Sequence, residues 1–202
     1  MGKVIASITT SLDGYITGPD DGPGNGLGTG GERLHYWVFG GPWTYESARD
    51  AGEMSGEDKA HYDDLVTNMG AGIVGRGMYD AAGAWGGQNP FPGTLIVLTH
   101  RIEDQPDPET GFHFVNGLDH ALACAREVAG DRDIGVSGGA DVIRQALAAG
   151  VVDELALSTA PVVLGGGKRL FEGFDQDLDL EILSVRPSAY AIHARYAVGS
   201  RT

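Results

Sequence analysis

Along the chain, short apolar runs alternate with stretches whose apolar residues recur at helical spacing. Lys3–Thr9 predicts a short strand that runs into the turn Ser11–Leu12–Asp13–Gly14, after which Tyr15–Ile16 resumes apolar character. Residues 18–31 (GPDDGPGNGLGTGG) are too rich in glycine for regular structure and read as a surface loop near that strand. Glu32–Phe39 predicts a short helix carrying Leu34, Trp37 and Val38. A second helix is expected from Gly56 to Met69, with Ser55 as N-cap and Glu57 and Asp58 in its first turn. Gly72–Val74 reads as a strand leading into Gly75–Arg76–Gly77. Thr94–Thr99 (TLIVLT) suits a buried parallel strand, and Phe112–Val115 another before a helix over Asp119–Val128.

The segment Ile134–Gly150 (IGVSGGADVIRQALAAG) constrains function most. Ile134–Val136 predicts a buried strand, and Gly138 and Gly139 let the backbone turn tightly or approach a ligand closely. Val142, Ile143, Ala146 and Leu147 then fall on one helical face, and Gly150 is a stop signal. A helix that opens directly after a glycine pair aims unpaired N–H groups and the positive end of its dipole at whatever lies above the sheet, which makes a phosphate seat. The plainer reading is that a strand turning into a helix needs glycine in any case. After Gly150 come a strand over Glu154–Leu164, a glycine turn at Gly165–Gly167, and two runs, Leu178–Val185 and Ala189–Val198. These alternate as an antiparallel hairpin hinged near Arg186–Ser188. With no repeat or linker to split it, the chain reads as one α/β domain over residues 1–202, a mostly parallel sheet ending in an antiparallel pair.

Two other segments match the spacing of the dinucleotide fingerprint, Gly26–Gly28–Gly31 and Gly70–Gly72–Gly75. The first follows a loop and the second precedes a strand, whereas the fingerprint works only as the turn from a strand into a helix. An ordinary Rossmann motif is therefore not expected. The 202 residues are 42% apolar, enough for a substantial core, and 28 acidic against 14 basic side chains give a formal charge of −14. Such a charge opposes nucleic acid and anionic membranes, so an anionic cofactor must be met by local basic residues. One cysteine, Cys124, excludes an intramolecular disulfide and a cysteine metal cluster, and the six histidines lack metal-ligand spacing, so no metal is expected. The N-terminus carries no charged leader with a long apolar core, and no run approaches a membrane span. These features predict a soluble, cytoplasmic protein.

The pieces Ser11–Tyr15 (SLDGY), Val74–Gly75–Arg76, Leu98–Thr99–His100–Arg101, Ser137–Gly138–Gly139–Ala140, Val151–Gly173 (VDELALSTAPVVLGGGKRLFEG) and His193–Tyr196 occur in that order. Together they resemble the dihydrofolate reductase-like superfamily, in particular the branch related to the reductase domain of bacterial riboflavin biosynthesis proteins. The resemblance implies a three-layer fold with NADPH across the C-terminal ends of the parallel strands. Gly75 and Arg76, with Thr99, His100 and Arg101, would meet the cofactor phosphates, including that on the adenosine. Ser137, Gly138, Gly139, Ala140, Asp141 and Val142 would lie under the pyrophosphate and nicotinamide, with a Gly138–Gly139 bond that is often cis in this superfamily. It also implies a homodimer, for which Pro161–Leu164 and the C-terminal strands offer apolar surface.

On the same resemblance, the turn holding Leu12, Asp13 and Tyr15 would lie beside the nicotinamide and substrate. Asp13 would then be a catalytic or substrate-binding group; the other reading is a turn residue bonded to backbone. Asp58 and Glu57 stand where folate reductases carry the acid that holds the pterin, although acids in a first helical turn also serve the dipole. Trp37, Tyr79, Trp85 and Phe91 would wall a pocket for a flat ring or else fill core, and His35 is equally open. The expected activity is an NADPH-dependent reductase acting on a small heterocyclic or carbonyl/imine substrate, pterin- or pyrimidine-like in the narrower versions. The alternative is a catalytically silent nucleotide- or flavin-binding protein on the same fold. Segment 18–56, which departs in length and composition from compact folate reductases, is where specificity is expected to reside.

Overall fold

The computed structural model describes residues 2–47 and 51–199, so residues 48–50 of the expected specificity segment lie outside the described residues. Its centre is an eight-stranded sheet in the order β4-β3-β2-β5-β1-β6-β8-β7. The strands are β1 (Val4–Ser11), β2 (Met69–Gly75), β3 (Thr94–Leu98), β4 (Phe112–Val115), β5 (Asp133–Val136), β6 (Glu154–Ala160), β7 (Leu180–Pro187) and β8 (Ile192–Val198). The first six pair in parallel, while β8 runs antiparallel to both β6 and β7. This is the expected α/β architecture with its C-terminal antiparallel pair.

The helices are α1 (Gly56–Val66), α2 (Arg76–Ala81), α3 (Leu118–Ala129) and α4 (Ala140–Ala148). α3 and α4 press Ala121, Leu122, Ala125, Ile143, Ala146 and Leu147 onto one face of the sheet, against Ile73, Ile96, Ile134 and Leu155. On the other face Val74, Leu95, Val97, Phe112 and Phe114 gather Met78, Tyr79, Trp85 and Phe91. Ile96 and its neighbours Leu95 and Val97 thus serve opposite layers, as the two-residue period of a strand requires. α1 differs from the other long helices: its buried side chains are Asp58 and His61.

Several boundaries differ from expectation for local reasons. β6 stops at Ala160 and does not continue to Leu164, because Pro161 has no N–H for the ladder. α1 ends at Val66 and not at Met69. Asn68 already accepts from Asp133 N at 2.9 Å, and Met69 opens β2. The next residue must be glycine, since a Cβ on Gly70 would come within 2.7 Å of Ala129 Cα. Glu32–Phe39 shrinks to a 3-10 turn at Gly31–His35, and the last hairpin turns at Ser188–Ala191, later than expected. There the Ser188 hydroxyl accepts from Tyr190 N at 3.1 Å and Ala191 N at 3.0 Å, which fixes the turn at the serine.

Leu155, in β6 beside the central strand β1, is fully buried. Leu155→Ala should cost about 2–5 kcal/mol, the range for a leucine cavity in a close-packed core. Urea unfolding with an unchanged m-value should reveal it, and a cost below about 1 kcal/mol would show that the layer above Leu155 is loosely packed.

Candidate active site

A cleft of about 1330 Å³ runs across the C-terminal ends of the parallel strands, as ligand sites in open α/β sheets do. One end is glycine-rich and basic, the other aromatic. At the first end β5 finishes at Val136, Ser137 lines the cleft, and α4 starts at Ala140. The Gly138–Gly139 peptide is cis. The two glycines answer different needs. Gly138 has φ +120°, a region closed to most side chains, and a Cβ there would press on Ile8 and Met78 at 3.1 Å. Gly139 sits at φ −70°, and its Cβ would meet nothing nearer than Ile16 Cδ1 at 4.0 Å, so its bare backbone leaves room for a ligand.

No side chain caps α4, and its opening N–H groups face the cleft beside Gly139, Ala140, Asp141 and Val142. Asp141 in that first turn accepts from Gln145 Nε2 at 2.6 Å and lies 3.7 Å from Arg144. Beside them on the same wall, Gly75, Arg76, Thr99, His100 and Arg101 line the ends of β2 and β3. Arg76 Nε donates to Asp80 at 2.7 Å and Nη2 to Asp104 at 2.9 Å; Arg101 Nη2 donates to Asp80 at 3.2 Å. Arg76 Nη1 is buried with no partner among the described residues. An uncapped helix start, open space over Gly139 and the Arg76 and Arg101 guanidinium groups at the neighbouring strand ends fit a dinucleotide with phosphate groups.

The aromatic end is built by Trp37, Phe39, Trp43 and Tyr45 with His35 and His61. Burial pushes His35 down to about 4 and His61 to about 3, the latter also under the charge of His193, Arg195 and Arg186, so both imidazoles are neutral near pH 7. Beneath them lies a buried polar chain. His193 Nε2 is 2.8 Å from Asp58 Oδ1, His193 Nδ1 is 2.8 Å from Ser158 Oγ, and Ser158 Oγ is 3.3 Å from His61 Nε2. The two imidazoles stack at 4.2 Å, and Trp37, whose Nε1 donates to Thr9 Oγ1 at 3.0 Å, sets its ring edge-on to both.

Residues 2–193 match the family described as the RibD C-terminal domain. The chain belongs to that family. Among curated relatives it is 29% identical over 136 residues to the uncharacterized protein YyaP of Bacillus subtilis, covering 62% of this chain and 71% of that one. It is 23% identical over 145 residues to YwjB of the same organism, covering 71% and 82%. Among solved structures, a putative riboflavin biosynthesis protein from Shewanella sp. PV-4 superposes with a TM-score of 0.70 at 20% identity, covering 98% of this chain and 99% of that one. Dihydrofolate reductase from Enterococcus faecalis complexed with NADP(H) gives 0.63 at 18% identity, covering 98% and 96%. A pyrimidine reductase-like protein from Corynebacterium diphtheriae gives 0.65 at 16% identity, covering 98% and 92%. These likenesses show a shared dihydrofolate reductase-like fold.

In this RibD C-terminal domain, the expected cofactor residues gather on one cleft wall, with Gly138 just behind its lining. Trp37, Trp85 and Phe91 also line the cleft, but Leu12, Asp13, Tyr15, Tyr79 and Asp58 do not. Leu12 is 71% exposed, Tyr15 stacks under Arg169 at 4.7 Å, and Tyr79 packs edge-on against Phe112 and Phe114. Asp58 is turned inward to His193. Asp13 is a clamp between loops: it accepts from Ser11 Oγ at 2.6 Å, Leu164 N at 3.0 Å and Gly165 N at 2.8 Å. Sequence reasoning gave no role to Ser158, His61 or His193, which sit on three separate elements.

The Ser11 hydrogen bond, with help from Gly165 and Leu164, holds Asp13 down to about 2 from an ordinary 3.8. A carboxylate depressed in the fold stabilises it fully above its unfolded value and loses that contribution as pH falls through the folded one. Asp13→Ala should therefore lower Tm at pH 6, and the gap to the wild-type chain should close between about pH 4 and about pH 2. A gap independent of pH in thermal melts would mean that the clamp does not depend on the charge.

Proposed function

We propose that this chain, acting as one dihydrofolate reductase-like domain over residues 1–202, is an NADPH-dependent reductase for a small heterocyclic or carbonyl/imine substrate. One observation carries the reading: uncapped α4, the open space over Gly139 and Arg76 lie along one wall of a cleft whose far end is aromatic. The pyrophosphate would lie over Gly138–Gly139 at the start of α4, and the adenosine phosphate beside Arg76, Thr99, His100 and Arg101. When bound, the cofactor supplies the hydride. The protein's share is to align it with a flat acceptor against Trp37 and to keep water out. The Enterococcus relative of this fold is complexed with NADP(H), which supports the choice of cofactor. The acidic overall charge and lone free cysteine are consistent with a cytoplasmic enzyme that avoids nucleic acid and membranes, and among the described residues no helix is long and apolar enough to cross a membrane.

The two carboxylates that neutralise Arg76 and Arg101 temper the gain from the extra phosphate of NADPH. Its preference over NADH should sit at the low end of a charge-assisted hydrogen bond, about 1.5 kcal/mol or roughly tenfold in Kd. Calorimetry with both cofactors measures it; equal constants would overturn the Arg76 assignment. Gly139→Val should abolish NADPH binding and leave a cooperatively folded chain, because φ −70° suits valine and the added carbons enter ligand space. Unchanged affinity in that variant would place the phosphate seat elsewhere.

We also propose a homodimer through β7. This edge strand leaves Leu180, Ile182, Leu183 and Val185 between 41% and 65% exposed, an apolar edge that a second copy of the chain would cover. Light scattering at micromolar concentration should give twice the 21.1 kDa of the chain, and a monomer would exclude the pairing.

A further inference from the structure

Hydride transfer to a carbon–nitrogen or carbon–oxygen double bond leaves the heteroatom in need of a proton, and neither Asp13 nor Asp58 lines the cleft. We propose that Asp58, His193, Ser158 and His61 form a proton wire, with His61 as the residue that hands the proton into the cleft. Its use in reduction rests on the reductase reading above.

The hydrogen-bond inventory allows two states that differ by one proton. In the empty state His193 Nε2–H donates to Asp58 Oδ1, Ser158 O–H donates to His193 Nδ1, and His61 Nε2–H donates to Ser158 Oγ. In the loaded state His193 is an imidazolium paired with the Asp58 carboxylate. Its Nδ1–H then donates to Ser158 Oγ, Ser158 O–H donates to His61 Nε2, and His61 carries its proton on Nδ1. Discharge moves three protons one place each. His193 Nδ1 gives its proton to Ser158, Ser158 gives its own to His61 Nε2, and His61 Nδ1 gives its own to the substrate heteroatom. A bound nicotinamide would supply the hydride and be oxidised by that transfer; the substrate gains the proton from His61, and the wire returns to its empty state, to be reloaded from solvent.

The two 2.8 Å distances suit their bonds in both states, and the 3.3 Å between Ser158 Oγ and His61 Nε2 is the long link of the chain. His193 has a side chain with no exposure, Asp58 is 8% exposed at its side chain, and Ser158 and His61 both line the cleft. The surroundings favour storage at the His193–Asp58 pair over storage at His61. Burial and the charges of His193, Arg195 and Arg186 hold His61 neutral, so it conveys a proton by exchanging tautomers. Other charged groups on the packed elements are already engaged. Arg186 of β7 reaches Asp64 at 2.7 Å and Glu57 at 4.0 Å on the outer side of α1, and Arg195 of β8 pairs with Glu154, which also holds Lys3. Asp58 is thus the carboxylate that meets His193.

Nitrogen-15 NMR of the histidine rings in the full chain, followed through a pH titration, reads the wire directly. As His193 gains its proton, His61 should change from the Nε2–H to the Nδ1–H tautomer with the same midpoint. In Ser158→Ala the His61 tautomer should cease to follow His193, and Ser158→Thr should restore the coupling. A purely structural network predicts one fixed His61 tautomer throughout, and that result in the wild-type chain would overturn the proposal whether or not the variants fold. Addition of NADPH should shift the ring signals of His61 but not those of exposed His113 and His120. NADPH bound by calorimetry with His61 unmoved would sever the wire from reduction. No NADPH binding at all would overturn the reductase reading and the wire's task with it, while the tautomer exchange would still be decided by the titration alone.

Discussion

One backbone hydrogen bond organises the site: Gly75 N donates to Gly138 O at 2.6 Å, tying the end of β2 to the turn that follows β5. β5 is inserted between β2 and β1, and the chain must leave it and enter α4 within Ser137–Gly139. The bond fixes where that turn lies, and α4 packs so closely that a Cβ on Gly75 would come within 2.9 Å of Val142 Cγ2. The start of α4, the open backbone of Gly139 and the start of α2 with Arg76 are all positioned by this junction. Glycine at 75 and 138 is therefore a packing and backbone requirement of the fold, whereas glycine at 139 meets no such demand within the protein. That contrast directs attention to a ligand at 139.

Charge at the cleft is managed locally. Arg76 and Arg101 share Asp80 and Asp104, Lys168 is paired with Asp21 at 2.5 Å, and Arg144 donates to the Glu172 carbonyl at 2.8 Å. A strongly acidic protein thus keeps cations at the cleft without a broad positive surface, and an anion would be held by directed donors more than by net charge. The aromatic end follows the opposite rule. Its imidazoles stay neutral through burial, and the segments His35–Tyr45 and His61–Val66 put no carboxylate, ammonium or guanidinium group into the lining among the described residues. The cleft therefore joins a site suited to a charged dinucleotide to one suited to an uncharged ring.

The parallel strands and the glycine pair were legible in the sequence because continuous apolar runs and paired glycines are local signals. Boundaries were less so: Pro161 cut β6 short, and Ser188 moved the final turn, each through one residue's hydrogen-bonding chemistry. The glycine-rich wall of the cleft was legible as short strand-end pieces whose order carries the likeness. The polar wire was not. Asp58 and His61 look like surface positions of a weakly patterned helix, and Ser158 and His193 occupy apolar strands, so their partnership exists only after α1 lies across β6 and β8. Asp13 was open to two readings in the sequence, and its three hydrogen bonds make it a clamp between loops.

The most direct test of the central claim is a crystal structure of the chain grown with NADP+. The account predicts the pyrophosphate against the opening N–H groups of α4 above Gly138–Gly139, the adenosine phosphate beside Arg76, and the nicotinamide extending toward Trp37 and His61. A pyrophosphate bound away from α4, or a nicotinamide directed away from the aromatic end, would contradict it.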